Sequence, residues 1–300
     1  MRRFCSFPGA LALALAVAFT AVEQPPAAAQ ASLRERTLFV SAVDRAGDPI
    51  EGLGPNAFVV REDGVRREVL RVSKAIEPID IALLIDNSTA VSDGITLLRT
   101  GVSKFIAKMA PGNQIALIAL ADRPTIFVDY TSDPKRLSDG VGRLFAMPDS
   151  GMTLLDAIGE TSKGLLRRET PRAAIIAIIT DGPEFTNRYS RDVVKELVAA
   201  RAAFHAVTIG QFPYSDEHGI RERSFLLDTG PRESGGQHAA LLSPHGLDPS
   251  LQKLARELSS QYKVVYNRPE SLIPPDRVEI STGREGVTMR GTPARGGTGT

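Results

Sequence analysis

Four short runs constrain this chain most: Ile81 to Ile85, Gln114 to Ala121, Ala173 to Thr180 and Phe204 to Ile209 are apolar runs rich in Ile, Val, Leu and Ala. A strand with one wet face alternates apolar and polar side chains, whereas a strand covered on both faces does not, so these runs predict parallel strands packed between helices. The intervening segments supply the helices. Ile95, Leu98, Val102, Phe105, Ile106 and Met109 recur at helical spacing, as do Leu154, Leu155, Ile158, Leu165 and Leu166, and Val193, Val194 and Leu197 form a third stripe. Asp133-Pro134 and Asp248-Pro249 read as helix starts, a capping Asp ahead of a first-turn Pro. The alternation predicts an α/β fold, a doubly wound, mostly parallel Rossmann-like sheet. Thr125 to Tyr130 is expected as a short antiparallel strand at the sheet edge. Gly210 to Gly246 reads poorly, with only a weak helical stretch near Arg221 to Asp228.

The flanks have a different grammar. Thr37 to Val43 predicts a strand, Ala46 to Pro49 a turn, and Phe58 to Glu62 with Arg66 to Val72 a hairpin closed by Asp63-Gly64, where both turn positions need positive φ. Glu62 and Asp63 are expected to be solvated at the hairpin tip. Tyr262, Val264 and Tyr266 alternate with polar neighbours, and Arg277 to Ile280 predicts a further strand. The expectation is a small flanking β-sandwich-like domain built from both flanks: residues 31–76 begin it, the α/β domain occupies 77–260, and 261–290 complete it. Residues 291–300, rich in Gly and Thr, are expected to be a disordered tail.

At the N-terminus, Arg2 and Arg3 precede an apolar run from Ala10 to Val22 and then Ala27, Ala28 and Ala29, the order of a secretory signal peptide over residues 1–30. The run is shorter than the ~20 residues of a membrane-spanning helix, which argues against a retained anchor. Cleavage after Ala29 and after Ala31 both satisfy the small-x-small rule, and either removes Cys5, the only cysteine. The mature chain would then lack a thiol for a disulfide, a nucleophile or a thiolate zinc site. A periplasmic or secreted location follows. The formal net charge of +1 provides no field that would draw the chain to nucleic acid or an acidic membrane.

Ligands on open α/β sheets bind beyond the carboxyl ends of the strands. Three loops fall there: Asp86-Asn87-Ser88-Thr89-Ala90, Ser150-Gly151-Met152-Thr153 and Asp181-Gly182. Two carboxylates and two hydroxyls converging would be an all-oxygen donor set suited to a hard divalent cation such as Mg²⁺. Blander roles exist, since Asp86 and Ser88 can cap the next helix and Asp181-Gly182 can be a tight turn. His205, His218, His238 and His245 lack zinc spacing and read as core or loop residues.

The three loops, in this order, resemble the von Willebrand factor A domain and its metal-ion-dependent adhesion site. By that resemblance Asp86, Ser88, Thr153 and Asp181 are the metal ligands, for Mg²⁺ or else Mn²⁺ or Ca²⁺, and an acidic side chain of a protein partner fills the open coordination position. Phe58 to Gly64 and the Gln261-Tyr262 strand resemble exported bacterial A-domain proteins best known from acidobacteria. One departure stands out: Ala90 occupies the position of the family's second ligand serine. The resemblance implies a non-enzymatic binding protein. A metal-independent scaffold with a vestigial site is the alternative, and a metal-assisted hydrolase is disfavoured because no general base or nucleophile accompanies the ligands.

Overall fold

The computed structural model describes residues 33–212, 217–269 and 273–294, so the expected signal peptide over residues 1–30 lies outside the described residues. In chain order the elements are β1 (Leu33–Val43), β2 (Val59–Glu62), β3 (Val65–Arg67), β4 (Val69–Lys74), β5 (Asp80–Ile85), α1 (Ile95–Met109), β6 (Gln114–Ala119), β7 (Thr125–Thr131), α2 (Pro134–Gly142), α3 (Leu154–Arg168), β8 (Ala173–Thr180), α4 (Ser190–Ala200), β9 (Ala202–Ile209), α5 (His218–Ser234), β10 (His238–Leu241), α6 (Leu247–Ser259), β11 (Tyr262–Pro269), β12 (Val278–Ser281) and β13 (Thr288–Pro293).

The central sheet has six strands in the order β10-β9-β8-β5-β6-β7, all parallel except the antiparallel edge strand β7. This is the doubly wound, mostly parallel sheet that the apolar runs predict. Every residue of β5, β8 and β9 is buried, because helices cover both faces. Ile81, Leu83 and Ile85 pack against α1, α2 and α6, while Ala82 and Leu84 face α3, α4 and α5. The chain leaves β5 toward β6 on one side, and β8 lies on the other. The topological switch point is therefore at β5 and β8, where the loop ends part to leave a crevice.

The antiparallel strands form two further sheets, β13-β1-β11-β4 and β12-β2-β3, with Leu38, Val40, Phe58, Val60, Val264 and Tyr266 packed between them. The Asp63-Gly64 turn has both φ values positive, 48° and 80°. Arg172, just before β8, ties the two parts together. Its Nε donates to Gln261 Oε1 at 3.0 Å and its Nη1 to the Glu77 carbonyl at 3.1 Å, while Gln261 Nε2 donates to Ser41 Oγ at 2.9 Å.

Three sequence expectations are corrected. Glu62 is buried, not solvated: Arg67 and Arg268 pair with its Oε2 at 2.9 and 3.1 Å, and the Tyr266 hydroxyl donates to its Oε1 at 2.9 Å. Asp133 caps α2 through Lys135 N, but Asp248 does not cap α6. A 3₁₀ turn at Pro244–Gly246 starts that helix two residues earlier, at Leu247, and Asp248 instead pairs with Lys104 at 2.5 Å. Gly291 to Pro293, expected in the disordered tail, belong to β13, which pairs with β1 and takes Gly291 opposite Val40. Residues 295–300 lie outside the described residues.

Candidate functional site

Asp86 follows β5 directly, and its N–H continues the ladder to the Ile178 carbonyl of β8 at 2.9 Å. Its side chain is completely buried. Oδ1 accepts from Ser88 N at 2.8 Å; Oδ2 accepts from Thr180 N at 3.1 Å and from the Thr180 hydroxyl. Ser88 heads the 3₁₀ turn Thr89–Gly94 without capping it through its side chain, and its buried Oγ has no hydrogen-bond partner. The capping role is thereby excluded for Ser88. A buried hydroxyl without a partner costs free energy unless something else satisfies it.

Asn87 holds the neighbouring loop. Its Oδ1 accepts from Leu120 N and Ala121 N at 3.1 and 2.9 Å, and its carbonyl accepts from Met147 N at 2.8 Å. The Leu120 carbonyl in turn accepts both the N–H and the hydroxyl of Thr153, at 3.0 and 2.8 Å. Thr153 is thus joined to the Asp86 loop through Asn87 and Leu120. Its hydroxyl donates to protein and keeps lone pairs for a ligand.

The third loop arrives from β8. A Cβ built on Gly182 would lie 2.9 Å from Ala90 Cβ and 3.3 Å from Ser88 Oγ, so only glycine lets this backbone pass so close to the first loop. Asp181 is exposed, and its carboxylate lies against Gly210 at the end of β9: a Cβ there would meet Oδ2 at 2.8 Å, and the Gly210 φ of +108° also demands glycine. The structure therefore brings Asp86, Ser88, Ala90 and Gly182 close together and links Thr153 to their loop only through Leu120 and Asn87. It turns the Asp181 carboxylate toward β9.

Beneath these loops sit two buried ionisable residues that sequence reasoning missed. Arg223 of α5, 1% exposed, donates from Nη1 to the Gly182 carbonyl at 2.5 Å and stacks over Phe212 at 4.9 Å, while its Nε has no partner. Burial lowers its pKa, and the charges of Glu184, Asp86 and Asp181 oppose that shift. Glu184, 6% exposed, accepts from Leu155 N in the first turn of α3 at 3.4 Å, and its Oε2 is unpartnered. Burial pushes its carboxyl up to about 8, against the pull of the Leu155 N–H and of Arg223.

The donor set fits a hard cation. Asp86, Ser88, Thr153 and Asp181 offer only oxygens, and the unpartnered Ser88 Oγ is the atom an ion would satisfy. No group of three or more His, Cys, Asp and Glu among the described residues is arranged to hold a metal ion, so an ion here would rely on two carboxylates, hydroxyls and water.

Residues 81–184 match the family model of the von Willebrand factor type A domain. Proximal thread matrix protein 1 from the mussel byssus superposes with a TM-score of 0.50 at 13% identity, over 69% of this chain and 50% of that one. A second structure of it, described as having a zinc-occupied MIDAS motif, gives 0.51 at 14% identity over the same shares. The von Willebrand factor domain of the type V pilus tip protein Mfa5 from Porphyromonas gingivalis gives 0.46 at 13% identity, over 60% of this chain and 94% of that one. Likeness at such identities concerns the fold alone. No curated protein matches this chain.

Proposed function

Residues 81–184 are a von Willebrand factor type A domain, and on that premise we propose that the chain is an exported, non-enzymatic binding protein that captures a protein partner through a divalent ion held by Asp86, Ser88, Thr153 and Asp181. The observation that carries this reading is the buried, unpartnered hydroxyl of Ser88 at the point where the Asp86 loop meets Gly182. Mg²⁺ is the proposed ion, with Mn²⁺ and Ca²⁺ as alternatives. When bound, it would offer an open coordination position to a carboxylate of the partner. The chain's own residues do the rest: Asp86 is pinned by Ser88 N and Thr180, Thr153 by Leu120, and Asp181 would turn from Gly210 toward the ion.

Export is proposed from the order of basic, apolar and small residues at the N-terminus. No helix among the described residues is long and apolar enough to cross a membrane. The division into an inserted α/β domain and a sandwich from both flanks is part of the same proposal, supported by the pairing of β1 with β11 and β13. A metal-independent scaffold remains the second reading, favoured by Ala90 at the ligand-serine position. Calorimetric titration of the mature protein with Mg²⁺ and Mn²⁺ separates the two. Saturable binding lost in Asp86→Ala supports the first, and no heat at millimolar ion supports the second.

A further inference from the structure

We propose that Arg223 is a positioning residue and built-in counter-cation of the strand-end site, so that the three loops stay assembled without an ion and bind one weakly. This deepens the ion-dependent reading and rests on it. An arginine is rarely buried without a carboxylate in direct contact. Arg223 is nonetheless among the largest fully buried side chains, and its direct partners are a carbonyl, the Met152 sulfur at 3.8 Å and the face of Phe212. The carbonyl belongs to Gly182, the residue whose backbone touches Ser88 and Ala90. Arg223 therefore fixes the loop that carries Asp181 and sets a permanent positive charge below Asp86 and Asp181.

A device of this kind needs α5 to approach closely. It does: a Cβ on Gly219 would lie 2.0 Å from the Glu184 carbonyl, so the first turn of the helix rests directly on the loop after β8. Glu184 links that loop onward to the first turn of α3, immediately after Thr153. The two carboxylates of an empty site would repel each other, and the guanidinium reduces that repulsion. The same charge opposes an incoming divalent ion.

The test titrates the full mature chain with Mg²⁺ and Mn²⁺ by calorimetry, and follows thermal unfolding in EDTA and in excess Mg²⁺. The variants are Arg223→Met, Arg223→Lys and the double variant Arg223→Met with Glu184→Gln, which removes both buried ionisable groups in case the single one does not fold. Loss of the guanidinium tightens the ion by at least about tenfold. It also lowers the melting temperature in EDTA more than in Mg²⁺, a difference that a purely structural role would not produce. Arg223→Lys, which keeps the charge, stays near the parent affinity. A folded Met or double variant with unchanged or weaker affinity overturns the proposal. If the parent binds no ion while a charge-neutral variant does, the counter-cation stands and ion-dependent function falls. If neither binds, both fall.

Discussion

Thr180 donates both its backbone N–H and its hydroxyl to Oδ2 of Asp86, across the carboxyl ends of β8 and β5. With Ser88 N on Oδ1, the buried carboxylate has three protein donors before any ion arrives. Its orientation is therefore a property of the sheet, because the ladder that aligns β5 with β8 also sets Thr180 beside Asp86. Thr180→Val keeps the shape and the N–H but removes the hydroxyl. The expected cost is ~1.5–3 kcal/mol in urea unfolding, the range for a hydrogen bond to a charged group. Thr180→Ser should recover most of it, and an unchanged urea midpoint in the Val variant would mean that the hydroxyl does not serve Asp86.

The two carboxylates should behave differently when removed. Asp86→Ala leaves Ser88 N and the Thr180 donors without an acceptor in a buried site, so it should lower stability by roughly 2 kcal/mol as well as abolish ion binding. Asp181 is exposed, and Asp181→Ala should stay within about 0.5 kcal/mol of the parent while weakening the ion. Paired urea and calorimetric titrations check this, and equal stability losses would contradict it.

The central strands are readable because burial on both faces leaves a continuous apolar run, and the strand-end rule then points to three loops, within which the resemblance to the von Willebrand factor A domain singles out Asp86, Ser88, Thr153 and Asp181. The α5 segment was not readable, for a physical reason. Gly219, Gly230 and Pro231 lower helix propensity, yet Gly219 is what lets the helix touch Glu184 and Gly230 packs on the Phe204 ring. Close packing chose those residues against local preference and hid the helix that carries Arg223. Glu62 was misplaced because a Glu beside an Asp-Gly turn looks solvated, whereas its partners Arg268 and Tyr266 come from a strand some two hundred residues away. Thr180 and Asn87 sat in plain view next to the ligand loops, but only the three-dimensional hydrogen bonds reveal what each one holds.

Acid should weaken the fold through His205. This ring is completely buried with both nitrogens unpartnered, and burial lowers its pKa to about 4; Glu257 pulls it upward, while Arg290, which pairs with Glu257 at 2.7 Å, pushes it down. An unfolded histidine titrates near its ordinary value of about 6.5, so the unfolded chain takes up the proton first. The contribution is complete above about pH 6.5 and is lost as pH falls toward 4. Because carboxylates also titrate below pH 5, the measurement is the difference between parent and His205→Leu in urea unfolding at pH 7 and pH 4.5. The parent should lose on the order of 2 kcal/mol more than the variant over that interval. Parallel losses would mean that His205 is not a buried neutral ring.

The sharpest test of the ligand assignment lies at the contact between Ala90 and Gly182. A Cβ on Gly182 would stand 2.9 Å from Ala90 Cβ and 3.3 Å from Ser88 Oγ, so position 90 faces the place where an ion would meet Ser88. Ala90→Ser adds a hydroxyl there at little steric cost, since Ala90 is exposed. In place of a water ligand it should tighten Mg²⁺ several-fold, roughly 1 kcal/mol, with stability unchanged within ~0.5 kcal/mol. Gly182→Ala pushes the other way, because its methyl crowds Ser88 Oγ and Ala90 Cβ, so the ion should weaken. Opposite shifts from two substitutions at one contact cannot arise from a site elsewhere in the chain. If calorimetry shows both variants folded and both with the parent's affinity, the first and third loops do not hold the ion.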